Sequence, residues 1–355
     1  MKRIIVHLTT SVIVLVAGCS RPDASPGMEK SDRYIFFSQD VGTKASLIGD
    51  VADMNGQKFG VVGFRYDNGT TYEALTSPVP NVFCDEEGNS VEVETLTCDG
   101  SGSGSASYTP LQGWSNSKKY AFFAYYPIEN PYVTLVNTDG SSYTSGTPAI
   151  KYTMDADNLR TSMADVMTAP AHIDKYWNSS SDNNTGSSEI TFAFRHCLSC
   201  IGLNIRNSTS GEVKISSVTF TLSGIKHRSI IIPLDGSQVS HGSDNSPMTD
   251  GLQCSIEVED EEKTIAEAGT ELSDKLIFIP QSEAATVTVA VEYTRSATGY
   301  ETFADTFTTS GLSTVLTAGV KHLIYLTFTD STVEVSGVVT EGGWETEYET
   351  GSTFN

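Results

Sequence analysis

The chain has 355 residues, room for two domains of ordinary size. It carries 22 lysines and arginines against 44 aspartates and glutamates, a formal net charge of −22. That balance excludes a nucleic-acid binder working through a basic face and docking on anionic lipid through basic patches. Hydrophobic residues at 38% suffice for a core, and the frequent Gly, Ser, Thr, Tyr and Val predict many short strands and turns.

Lys2 and Arg3 precede an apolar run, Ile4 to Ala17, that is short for a membrane span. The run ends Leu15-Val16-Ala17-Gly18-Cys19, which resembles a bacterial lipobox. Residues 1–18 are therefore expected to be a signal peptide, cut before Cys19, whose thiol takes a diacylglycerol. Ser20 in the next position resembles signals that send lipoproteins to the outer membrane. Residues 20–32, with Pro22, Pro26 and Gly27, read as a flexible tether.

Tyr34-Ile35-Phe36-Phe37 reads as a first short strand, followed by a polar linker from Gly42 to Gly56. Phe59 to Tyr66 reads as a buried strand, and Asp67-Asn68-Gly69 as a turn. Val79 to Phe83 and Val91 to Val93 are expected strands; Asp99 to Ser107 is an expected loop. Tyr120 to Pro127 is a strongly apolar strand ended by proline. A short helix or turn is expected in the segment from Met154 to Ala171, which includes Asp165-Val166-Met167. The all-polar run Asn178 to Ser188 is the expected domain boundary, dividing residues 45–185 from 186–355.

From Glu189, Phe192, Phe194, His196 and Leu198 share one parity, and Ile201, Leu203 and Ile205 the other, as one bulged residue would produce. Further strands are expected at Val213–Leu222, Ile230–Leu234, Ser255–Val258, Leu276–Ile279, Thr286–Tyr293, Glu301–Phe307, Leu323–Thr329 and Val333–Val339. Short strands at such spacing predict an all-β chain built of sandwiches.

Catalytic and nucleotide motifs are missing: the sequence has no G-x-S-x-G, no H-E-x-x-H and no G-K-[ST]. No cofactor and no metal are expected. His196-Cys197-Leu198-Ser199-Cys200 could suggest zinc or redox chemistry. Zinc wants a second ligand pair, reactive thiols want a helix N-terminus, and a strand holds the two Cα atoms about 10 Å apart, too far for a disulfide. His196 is read as a core histidine bonded to backbone. Cys84 and Cys98 could close a hairpin. The acidic run Glu257 to Glu262 reads as a solvated hairpin tip, without EF-hand spacing. On a strand, Glu345, Glu347 and Glu349 would share one face, with Trp344, Thr346 and Tyr348 on the other. Trp114 and Trp177 could stack on sugars, although packing inside a sandwich is the commoner fate of such residues.

Five segments, in this order, resemble the fimbrillin family, the lipoprotein pilins of type V pili in Bacteroides-type anaerobes. Ala124-Tyr125-Tyr126-Pro127 is similar to the family's A-Y-Y-P, and Asp165-Val166-Met167-Thr168-Ala169 to D-[LV]-[LM]-x-A. Phe192 to Ile201 resembles F-x-F-x-H-A-L-S-K-I, with Cys197 and Cys200 where Ala and Lys are usual. Ile279-Pro280-Gln281 resembles I-P-Q, and Ala318-Gly319-Val320-Lys321-His322 resembles A-G-K-x-Y with one extra residue.

The resemblance implies two tandem transthyretin-like β-sandwich domains and a structural and adhesive role, without enzymatic activity, in a cell-surface pilus on the outer membrane. It implies that a trypsin-like protease cuts after the first strand, discarding the leader 19–44, and that a neighbouring subunit's C-terminal strand fills the groove. Here the cut would fall between Lys44 and Ala45, where family members often carry Thr-Arg-Ala. The donor would come from residues 333–348, with Val333, Val335, Val338 and Trp344 as its apolar side chains. Other pilus subunits are the expected partners, with the outer membrane through the lipid and a host protein or glycan beyond them. Asp330-Ser331-Thr332 fits an O-glycosylation pattern of these bacteria. Two other classes compete: a glycan-binding surface lipoprotein, and a secreted hydrolase with paired carboxylates.

Overall fold

The computed structural model describes residues 34–41, 54–99, 104–115, 117–155, 157–177, 189–241, 252–257, 263–267, 270–271, 276–296 and 303–339. The first part of the chain forms β1 (Phe36–Val41), β2 (Lys58–Asp67), β3 (Glu94–Cys98), β4 (Ser105–Ser107), β5 (Lys118–Tyr126), β6 (Val133–Asn137), β7 (Pro148–Thr153), a four-residue helix α1 (Leu159–Ser162), β8 (Met167–Thr168), β9 (His172–Lys175) and β10 (Glu189–His196). The rest forms β11 (Ser199–Asn207), β12 (Glu212–Ser223), β13 (Ser229–Pro233), β14 (Ser240–His241), β15 (Leu252–Glu257), β16 (Lys263–Thr264), β17 (Thr270–Glu271), β18 (Leu276–Phe278), β19 (Ala284–Ser296), β20 (Phe303–Thr308), β21 (Leu312–Val315), β22 (Lys321–Phe328) and β23 (Val333–Val339). The protein is all-β, as its sequence predicts.

The first sheet runs β2-β3-β4-β1-β10-β8-β5-β9, and β2 also pairs with β5. Strand pairing therefore returns on itself, a closed circuit with β9 outside it. Its interior holds Ile35, Phe37, Phe59, Val61, Tyr120, Phe122, Phe192 and Phe194, among others. The opposite faces of β2 and β5 are also covered: Val62, Phe64, Phe123 and Tyr125 join a second core with Ile150 and Tyr152 of β7. A strand buried on both faces needs no polar alternation, which is why Tyr120 to Tyr125 reads as an unbroken apolar run. Gly63 is fixed by close packing, because a Cβ there would lie 2.7 Å from the Phe83 ring and 2.8 Å from Val82 Cβ.

A second sheet, β14-β13-β7-β6, joins the two halves of the sequence, with Ile150 opposite Ile232 and Tyr152 opposite Ile230. The remaining strands form two sheets that share a core. One is β17-β11-β22-β23, with β18 on β11; the other is β15-β12-β19-β20, with β16 on β12 and β21 on β19. In β12, Val213 and Ile215 face the core, then Val218, Phe220 and Leu222. The parity flips where the register against β19 shifts between Ile215 and Ser217, the signature of one extra residue.

Several expectations change. The segment 189–205 is not one bulged strand: β10 stays in the first sheet, the chain crosses at Cys197-Leu198, and β11 enters another sheet. β10, which follows the polar run 178–188 in sequence, pairs with β1 in the first sheet. The first strand is Phe36–Val41, later than expected, with Tyr34 in a single bridge to Gly113. Ser105–Ser107, expected as loop, is β4, whereas 79–83 and 91–93 are not strands. The short helix falls within the expected segment 154–171, at Leu159–Ser162, but does not include Asp165-Val166-Met167, and Met167-Thr168 is β8.

Candidate functional site

Residues 34–41, the described part of the expected leader 19–44, form the closing stave of the first sheet. β1 lies between β10 on one side and β4 on the other. It runs parallel to β10, with Phe37 opposite Ile190, Gln39 opposite Phe192 and Val41 opposite Phe194. It runs antiparallel to β4 through Phe37–Ala106 and Ser38–Ser105. Alternation sends Ile35 and Phe37 inward, and both are buried, while Phe36 points out.

Phe37 is the centre of an aromatic cluster. Its ring lies 5.2 Å from Phe122, 5.5 Å from Tyr108, 5.7 Å from Phe192 (stacked) and 6.1 Å from Phe83. Polar contacts pin the ends: the Tyr108 hydroxyl donates to the Ile35 carbonyl at 2.9 Å, and the Ile35 N–H donates to Gln112 at 2.9 Å. The Ser38 and Thr191 hydroxyls are 2.8 Å apart. Burial of Ile35 and Phe37 contributes roughly 1.5–3 kcal/mol each. Removing β1 would open the circuit between β4 and β10, baring a line of backbone donors and acceptors beside an apolar interior.

Cys19, Lys44 and Ala45 lie outside the described residues, Lys44 three positions beyond the end of β1. Trp344 also lies outside them. Val333, Val335 and Val338 are in β23, at the edge of its sheet and antiparallel to β22, with Val338 opposite Leu323. Val333 and Val335 pack, half-buried, on the core. The expected donor and the slot of β1 therefore belong to different sheets of one chain and do not pair with each other.

His322 of β22, opposite Val339, is buried, with Nδ1 3.1 Å from the Thr314 hydroxyl. Burial pushes its pKa from 6.5 down to about 4. An unfolded histidine takes its proton first as pH falls, so this stability is complete above about 6.5 and is lost on descent toward 4. Between pH 7.5 and 4.5 it amounts to about 2–3 kcal/mol. Urea unfolding should show a pH dependence smaller by that amount in His322→Gln; an unchanged dependence would refute the assignment.

The His-Cys segment is structural. His196 is buried, but its partner is a side chain: Nδ1 lies 2.7 Å from Oδ1 of Asp165, which is also buried. This corrects the expected backbone partner and ties the two motif segments around Asp165 and His196 together. Neither Cys197 nor Cys200 is in a disulfide, and burial raises the Cys197 pKa to about 11, away from thiolate chemistry. Cys98 is likewise free and buried, so the Cys84–Cys98 bridge does not form. Among the described residues no group of three His, Cys, Asp or Glu could hold a metal. Trp114 is buried, its ring 4.9 Å from Tyr120, and Trp177 packs against the first core. A surface cleft of about 510 Å³ includes Gln57, Lys58, Tyr126 and Glu129. These groups pair with one another, Lys58 with Glu129 at 2.7 Å and the Tyr126 hydroxyl with Gln57 at 3.2 Å.

Sequence reasoning missed β4, Tyr108 and the burial of Gln39. For the last, the inward parity of Ile35 and Phe37 was an available signal.

The fold and this site define a class: an all-β protein whose first described strand closes its first sheet. A family model described as fimbrillin-like matches residues 43–344, and the chain belongs to that family. No curated protein matches the chain. Among solved structures, a fimbrial protein from Bacteroides vulgatus is similar in fold at 19% identity and a TM-score of 0.59, over 88% of this chain and 99% of that one. A candidate cell adhesion protein from Bacteroides uniformis is 15% identical, with a TM-score of 0.46 over the same shares. No helix among the described residues is long and apolar enough to cross a membrane.

Proposed function

We propose that this protein is a structural and adhesive subunit of a cell-surface pilus. It is exported as a lipoprotein through Cys19, cut between Lys44 and Ala45 by a trypsin-like protease, and polymerised by strand exchange. The observation that carries the reading is the placement of β1. Ile35 and Phe37 fill the interior of the first sheet, and the candidate cut follows three residues after Val41.

Cutting there breaks the backbone link between β1 and the strands that follow it. Its departure exposes the edges of β10 and β4 and the rings of Phe83, Phe122 and Phe192. A donated strand satisfies those edges and drops alternate side chains into the vacated interior, as in β-augmentation. The donor of the next subunit is drawn from residues 333–348. β23 suits that role because, among the described strands, it lies at the edge of its sheet and pairs with β22 alone.

Deletion of residues 331–355 tests the proposal. It removes β23, uncovering the β22 edge, yet leaves β11 and β22 paired. The expected product is a folded, less stable monomer that makes no polymer after cleavage. Deletion of 340–355 alone separates the roles, since it keeps β23 in its own sheet. Polymer ladders unchanged by the longer deletion would refute donation by this segment.

A further inference from the structure

We infer that Gln39 makes the leader strand the weaker occupant of its own slot, and so sets how readily that strand yields to a donated one. The inference rests on the strand-exchange reading above.

Gln39 sits opposite Phe192, two positions beyond the inward-facing Phe37. It is 3% exposed. Its backbone N–H is satisfied, donating to the Gly104 carbonyl at 2.7 Å. Its side chain is not: neither Oε1 nor Nε2 has a hydrogen-bond partner. Among the described residues it alone has both terminal atoms of its side chain in that condition.

Gln281, buried to a similar degree, shows the contrast. Its Oε1 accepts from the Lys226 N–H at 2.8 Å, and its Nε2 donates to the carbonyls of Gly224 and Glu283 at 2.8 and 2.9 Å. A carboxamide offers two donors and an acceptor with two lone pairs. Buried without partners, it loses hydration and gains nothing in return.

The penalty is local. Ile35 and Phe37 hold the first half of the strand, while Gln39 weakens the half nearest the candidate cut. Any strand that brings an apolar side chain to the same position fills the space beside Phe192 without that cost. The slot therefore favours a donor with apolar side chains at the three alternating positions now held by Ile35, Phe37 and Gln39.

The test is amide hydrogen exchange on the uncut full chain, comparing wild type with Gln39→Leu and Gln39→Met. Exchange in β1 should slow by about tenfold or more, while β12 and β19 keep their rates. Methionine, unbranched and close to glutamine in volume, serves if leucine prevents folding. Unchanged or faster exchange in β1, or slowing shared equally by β12, would overturn the inference. Because the readout uses uncut monomer, it stands apart from the exchange mechanism. Absence of polymer in wild type would refute that mechanism and leave the β1 rates to decide the role of Gln39.

Discussion

Phe37→Ala should destabilise the uncut monomer by roughly 3–5 kcal/mol, the cost of emptying a buried aromatic site. The residue is 1% exposed and touches rings from four directions, so the cavity has little room to collapse. Phe83 and Tyr108 lie in loops, whereas Phe122 and Phe192 are fixed in β5 and β10, each paired to neighbouring strands. Phe37→Leu keeps most of the volume and should cost far less. The contrast can be read from urea midpoints at constant slope. The same substitution should hasten loss of the leader once the chain is cut, because Ile35 alone would then anchor the strand. A cost below about 1 kcal/mol for Phe37→Ala, the range of surface changes, would mean that β1 is not a working part of the core, and the plug account would fail.

Lys44→Gln should abolish polymerisation altogether while leaving a folded, lipidated monomer. The reason is positional. A cut opens the slot only if it falls after β1 and before Met54, which is fully buried in the same core. Arg33 precedes β1, so cutting there would leave the strand attached. Arg65 lies inside β2, opposite Tyr120, and its N–H donates to Asn81 Oδ1 at 2.6 Å. A protease needs an extended, unpaired segment, which a strand in the middle of a ladder does not present. Full polymer yield from Lys44→Gln, detected as ladders on gels, would contradict this assignment.

The elements that the sequence announced are those with a strong apolar pattern, alternating where one face is covered and unbroken where both are, as in β2 and β5. β12 and β19 alternate, and the parity flip at Ser216 can be read from the residues themselves. β22 and β23 were equally visible. The closed circuit was not, because its key pairing, β1 with β10, joins residues far apart in sequence through a parallel register that no local pattern encodes. β4 has only three small residues, Ser105-Ala106-Ser107, after a glycine-serine run, so nothing in its composition distinguishes it from loop. β6 and β7 were hidden for a related reason. The turn-rich stretch around Asp139-Gly140 and Gly146-Thr147-Pro148 obscures two short strands whose burial comes from the second half of the chain. At the candidate site, the sequence located the plug strand but misplaced its ends. It gave no sign that His196 meets Asp165, since that contact depends on β8 returning beside β10.

Acidity takes on a second meaning in this light. Residues 19–44 carry four basic side chains (Arg21, Lys30, Arg33, Lys44) and four acidic ones (Asp23, Glu29, Asp32, Asp40), so discarding them leaves the acidic excess on the folded body. A strongly negative surface keeps such subunits soluble and apart. On the proposed mechanism, association is then left to the one contact that charge does not oppose, an apolar slot and the strand that fills it.

The most direct measurement is the N-terminal residue of polymer sheared from the cell surface, read by mass spectrometry of its terminal peptide. The account predicts Ala45, with no peptide from residues 19–44 in the polymer. A terminus at lipidated Cys19 would contradict it, because β1 would then still be covalently part of every subunit and no slot would have opened.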